Sequence, residues 1–221
     1  VVPVLFGSVN EVERSLAHLE VQALGNLDPR IHFALLSDFK DALTLSVAGD
    51  EEILTSAVAG VEALNRRHAP DGNDRFYLFH RDRMWNPKEG VFMGWERKRG
   101  KIEELNRLLR SPTDTGFSVK VGDLSILPSV RYVLTLDADT RLPRDAARPL
   151  IGIISHPLNS PVVDATLRRG TEGYGILQPR ISVNLASAAG SLFARLYAGH
   201  TGVDPYTTAV SDTYQDLFGE G

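Results

Sequence analysis

The chain of 221 residues contains no cysteine. That absence excludes a disulfide framework, a cysteine nucleophile and any thiolate metal site, and it leaves the redox compartment undecided. Long apolar runs are missing too, and none approaches the roughly 18 residues of a membrane-spanning helix. There is no basic excess: 24 Lys and Arg stand against 28 Asp and Glu, for a formal net charge of −4. A general nucleic-acid binder carries the opposite balance. Neither a signal peptide nor an initiator Met precedes the apolar opening "VVPVLFG", so the chain reads as a piece of something larger.

What is present is an ordinary globular composition, 43% hydrophobic and 24% charged. One domain over residues 1–221 is the expectation for this length. Its elements alternate. "VVPVLFG" reads as a buried strand, and Ser8 with Glu11 forms a capping box that starts a helix carrying Val12, Leu16, Leu19 and Ala23. "IHFALLSDF" is a second strand reaching Asp38, "GDEEILTSAVAGVEALNRRH" a second helix, and "RFYLFHR" a third strand. Residues 82–101 read as an ordered loop, a helix runs from Gly100, and residues 111–129 look loose. "RYVLTL" reads as a fourth strand, with Pro143 in the first turn of the helix after it. "GYGILQPRISV" reads as a fifth strand, interrupted by Pro179. This order points to an α/β fold: a mostly parallel, Rossmann-type sheet with helices on both faces.

Ligands of such sheets gather at the carboxyl ends of strands, where Asp38 and the pair Asp137/Asp139 are expected. Two carboxylates two residues apart face the same way on an extended strand, and their repulsion is relieved by a divalent cation. Hard oxygen ligands suit Mg²⁺ or Mn²⁺, and a sparse carboxylate pair suits a phosphorylated ligand that completes the coordination. "DADT" also reads as a turn that merely caps the next helix. Two enzyme classes share the chemical reading. One is a nucleotide-sugar glycosyltransferase; the other is a haloacid-dehalogenase-type phosphatase with Asp137 as nucleophile. The phosphatase needs a lysine and a second acidic pair downstream. After Lys120 there is no lysine, and after Asp139 no adjacent acidic pair. A non-catalytic nucleotide-sugar-binding or interaction module is a third reading. His156 and His200 lack a partner at metal spacing and read as structural or capping residues. Ser187 and Ser191 lack a nucleophile-elbow context.

Longer strings converge. "LLSDFKDA", "WNPKEGVFMGWERKRGKIEELNRLLR", "YVLTLDADTRLPRDAARPLIGIISHPLN", "GYGILQPRIS" and "HTGVDPYTTAVSDTYQDLFGEG" resemble the glycosyltransferase domain of bacterial cyclic β-1,2-glucan synthases. The resemblance runs nearly end to end. It implies a GT-A fold, a UDP-glucose donor, a β-1,2-glucan acceptor and inversion at the anomeric carbon. It further implies Mg²⁺ or Mn²⁺ on Asp137 and Asp139, with Asp137 also a candidate for the ribose. Asp38 is implied at the uracil or ribose edge, Lys98 and Lys101 near the diphosphate, and Gln178 and Arg180 on the sugar or acceptor side. Trp85 and Trp95 are candidates for stacking on sugar faces. The general base of the family lies beyond a glycine-rich stretch like "GEG", so it is expected past Gly221, and neither Asp216 nor Glu220 matches it. The whole protein is expected at the cytoplasmic face of the bacterial inner membrane. The chain itself is expected to be soluble, with membrane contact only through flanking segments.

Overall fold

Three apolar runs rich in β-branched and aromatic residues form the parallel part of a sheet: β1 (Val2–Phe6), β2 (Phe33–Phe39) and β3 (Phe76–Arg81). A fourth strand, β6 (Phe117–Val121), pairs antiparallel with β3, giving the order β1-β2-β3-β6. A computed structural model describes residues 1–69, 72–111, 115–167 and 169–179. It divides into two compact units, Val1–Arg148 and Pro149–Gly221.

Every residue of β2 and β3 is buried, because helices cover both faces of the first unit's sheet. Side chains alternate between those faces. Val2, Val4, Phe6, Phe33, Leu35, Phe76 and Leu78 join one core cluster with Val12, Leu19 and Ala23 of α1 (Val9–Gly25) and Ala57, Val61 and Leu64 of α2 (Asp50–His68). Ala34, Leu36, Tyr77 and Phe79 join another with Leu105 and Leu108 of α3 (Arg97–Arg110). The mostly parallel α/β sheet expected from the element order is therefore the observed one.

Local chemistry sets the helix ends. Ser8 Oγ accepts from the Glu11 amide at 3.3 Å, and the Glu11 carboxylate reaches back to the Gly7 amide at 2.8 Å. The first turn of α2 carries Asp50, Glu51 and Glu52 and its last turn Arg66, Arg67 and His68, in line with the helix dipole. Near its end, buried Asn65 clamps the start of β3: Nδ2 donates to Phe76 O at 2.8 Å and Oδ1 accepts from Phe76 N at 2.8 Å. Asn65→Ala strands buried backbone groups, and urea denaturation is expected to show a loss of about 1–3 kcal/mol.

Several expectations are corrected. Residues 117–121 lie in the stretch read as loose, yet they form β6. The loop over 82–101 contains a hairpin of β4 (Met84–Asn86) and β5 (Val91–Met93), and α3 begins at Arg97. "RYVLTL" forms no regular strand. It meets Val1, the residue before β1, at a single parallel rung, with Val1 N donating to Leu134 O at 2.6 Å and Leu136 N to Val1 O at 3.0 Å. At Asp137 the chain turns, closed by Thr140 N donating to Asp137 O at 2.9 Å, so the run never continues along β1. Past Pro143 the next helix, α4, spans Ala147–Ile154.

In the second unit a short turn of 3₁₀ helix, Pro157–Asn159, is capped by His156, whose Nδ1 accepts from Leu158 N at 3.3 Å. A hairpin of β7 (Val162–Asp164) and β8 (Arg169–Glu172) follows. The proposed fifth strand has no regular structure over 174–179, and its remainder lies outside the described residues.

Candidate functional site

The parallel register sets Leu5 of β1 beside Asp38 of β2, and Asp38 beside Arg81 of β3, at the carboxyl ends of all three strands. Asp38 and Arg81 both face α3. Arg81 grips the carboxylate in parallel, Nε to Oδ1 at 2.8 Å and Nη2 to Oδ2 at 2.9 Å. From α3, Lys101 Nζ lies 3.3 Å from Asp38 Oδ2 and donates to Val4 O at 2.6 Å. The three side chains are between 1% and 4% exposed, so water does not screen them. One carboxylate thus answers two cations, leaving a buried surplus of positive charge. Burial holds the Lys101 ammonium below the ordinary lysine range, and Asp38 opposes that shift.

Room for this cluster comes from two glycines. A Cβ at Gly94 would run into the Asp38 carboxylate, and one at Gly100 into the Trp95 carbonyl. Both Asp38 oxygens are engaged, so a direct contact from Asp38 to a uracil or ribose edge requires one of these bonds to open.

The start of α3 breaks the usual charge rule. Its first turn holds no acid, and Arg97, Lys98, Arg99 and Lys101 crowd the positive end of the helix dipole. The chain enters through Glu96 and Arg97, both left-handed at φ 49° and 47°, and no side chain caps the free amides. Arg97 is held by Asp41 and Glu89, each at 2.7 Å. Lys98 pairs with Asp137. Spaced i, i+3, Lys98 and Lys101 share a helix face, and α3 therefore joins the two acidic positions: Lys98 to Asp137, Lys101 to Asp38.

Asp137 and Asp139 are exposed on the 137–140 turn. Among the described residues Asp139 has no hydrogen-bond or ion-pair partner, and no group of three or more His, Asp or Glu gathers anywhere as a metal cage. Two hard carboxylates open to water, one unpaired, are a donor set that suits Mg²⁺ or Mn²⁺. Asp38, Lys98, Lys101 and Asp137 are thus linked through one helix. Gln178 is exposed within the second unit, and Arg180 lies outside the described residues. Trp85 packs its ring against Phe92 at 5.1 Å, and Arg107 sits 5.8 Å from the centre of the Trp95 ring.

Arg81 was not among the sequence candidates, although a charge ending a buried run marks a strand tip as Asp38 does. A polar line along α1 and its C-cap, namely His18, Gln22 and Asn26 at i, i+4 and i+8, also went unread. All three touch the backbone of the segment that begins at the 137–140 turn.

No family model matches the chain. It aligns over 222 positions, at 45% identity and across 100% of its length, with "Cyclic beta-(1,2)-glucan synthase NdvB" of Rhizobium meliloti (strain 1021). The chain matches a segment of a cyclic β-1,2-glucan synthase from end to end. The motif resemblance therefore extends over the whole sequence, while the chain spans only 8% of that synthase's own length. Among the described residues no helix is long and apolar enough to cross a membrane.

Proposed function

We propose that this chain is the donor-binding part of a hexosyltransferase that uses UDP-glucose to extend a β-1,2-glucan. The observation that carries the reading is the start of α3. There an uncapped, cation-rich helix end stands over the Lys101–Asp38–Arg81 cluster and reaches Asp137 through Lys98. A helix end built against its own dipole is relieved by an anion, and a diphosphate has the charge and size to do it.

Asp137 and Asp139 would hold Mg²⁺ or Mn²⁺, which when bound neutralises charge on a departing diphosphate. Lys98 is half-exposed and free to trade Asp137 for a phosphate oxygen. Asp38 holds Lys101 and Arg81 beneath the site, so their surplus charge adds to the field at the helix end. Asp38 also stands as the candidate for the uracil or ribose edge, and Gln178 and Arg180 for the sugar or acceptor side. Transfer from an α-linked donor to a β-linked product calls for in-line displacement, with a base that takes the acceptor proton.

A thermal-shift titration with UDP-glucose tests this. The expected result is a rise in Tm that requires Mn²⁺, exceeds the rise with other nucleoside diphosphate sugars and disappears in Asp139→Ala. At a hundredfold excess over Kd the stabilisation should be about 2.7 kcal/mol. An equal shift without metal, or in Asp139→Ala, overturns the metal-bridged donor site.

A further inference from the structure

Helix α1 turns its apolar residues Val12, Leu19 and Ala23 to the core. Beside that stripe runs the polar one. Gln22 is 3% and Asn26 2% exposed, so both are buried polar groups whose bonding partners matter. Gln22 Nε2 donates to Thr140 O at 3.4 Å and also lies 3.4 Å from His18 Nε2. An amide nitrogen has two hydrogens, one for each contact, so His18 Nε2 is the acceptor. His18 is then the neutral tautomer with its proton on Nδ1, and that proton is donated to Ala138 O at 3.1 Å. Further along, Asn26 Nδ2 reaches Pro143 O at 3.5 Å, and its Oδ1 accepts from Ala147 N at 3.0 Å.

The two upstream contacts bracket Asp139. Ala138 O belongs to the peptide leading into it, and Thr140 O lies just past it. Residues 137–139 are exposed, directly after Leu136, which packs against the core. Among the described residues, His18 and Gln22 supply the side-chain hydrogen bonds to the backbone of 137–141. We infer that His18 and Gln22 are positioning residues: from the helix side they fix the peptide planes around Asp139, so that the carboxylates of the turn stay pre-set for a divalent cation. This rests on the reading of the 137–140 turn as the metal-bearing element. Groups that orient ligands from behind typically change metal affinity 10–100-fold when removed.

His18 is only half-buried, so replacing it leaves the core intact. In the full chain, two readouts are compared for wild type, His18→Leu, His18→Asn and Asp139→Ala: Mn²⁺ affinity by calorimetry, and amide hydrogen exchange over 137–141. Asparagine keeps a donor near the place of Nδ1. His18→Leu is expected to weaken Mn²⁺ binding about tenfold and to speed exchange at 137–141, with the strands unchanged; His18→Asn restores both. Unchanged exchange in His18→Leu overturns the inference. Faster exchange with undiminished Mn²⁺ affinity also overturns it, because His18 is then a structural prop. Wild type that binds no Mn²⁺ sinks the metal reading instead, and exchange at 137–141 still decides whether His18 pins the turn.

Discussion

Asp38→Ala is expected to lower the unfolding free energy by about 3–5 kcal/mol, the cost of leaving buried charge without its partner. Arg81 and Lys101 both lose their counter-ion in a place with almost no water, and Lys101 keeps only the Val4 carbonyl. Lys101→Met removes the surplus cation instead and leaves Asp38 and Arg81 as a one-to-one pair. Val4 O keeps the ladder bond that the β1–β2 register gives it from Asp38 N, so no group is stranded and the cost should stay at about 0.5–1.5 kcal/mol, that of one net hydrogen bond. The two variants thus differ in rank as well as size. Urea denaturation at pH 7 reads both as shifts of midpoint at constant slope. The double variant Asp38→Ala/Arg81→Met should recover part of the loss, since one orphaned cation goes with the acid. An Asp38→Ala cost within the roughly 0.5 kcal/mol of a surface substitution would mean that the three side chains are solvated.

Strands β1 to β3 were legible because each is a short β-branched or aromatic run bounded by turn residues, and the Ser8–Glu11 box announced α1 in the same way. β6 was legible too: Phe117, Val119 and Val121 alternate with polar residues between Gly116 and Gly122, a period-two signal hidden by the loop-like residues around it. "RYVLTL" shows the opposite failure. Its propensity is high, but propensity does not supply a strand partner, and among the described residues only Val1 bonds its backbone before the turn at Asp137. Asp38, Lys98, Lys101 and Asp137 were each readable as motif members. They were expected around one donor site, but the bonds that join them were not readable, because these depend on a register across three strands and on the face that α3 presents, both set by contacts far apart in sequence. The His18–Gln22–Asn26 line has helical spacing, but its partners in the 138–147 segment are backbone groups, which carry no letter in a sequence.

On the face of the sheet opposite the Asp38 cluster, His80 is expected to make stability depend on pH between about 4 and 6.5. Its ring is 0% exposed, with Nδ1 2.9 Å from Ser37 Oγ and the ring of Phe39 edge-on at 4.3 Å. Nε2 is buried without a partner among the described residues, so a proton there would be an unpaired donor as well as a buried charge. Burial pushes the imidazole down to about 4, even though Asp82 and Asp38 pull the other way. In the unfolded chain it titrates near the ordinary 6.5. Between those values the unfolded chain takes up a proton that the fold refuses, so stability rises with pH. The contribution is complete above pH 6.5, is lost as pH falls towards 4, and totals on the order of 3 kcal/mol. His32, also lowered by burial, adds slope of the same sign, so the informative quantity is a difference between variants. His80→Asn keeps a polar partner for Ser37 and cannot titrate. Its stability loss between pH 7.5 and pH 4.5 in urea should be smaller than wild type's by most of that amount, and equal losses in the two proteins would show that His80 is protonated inside the fold.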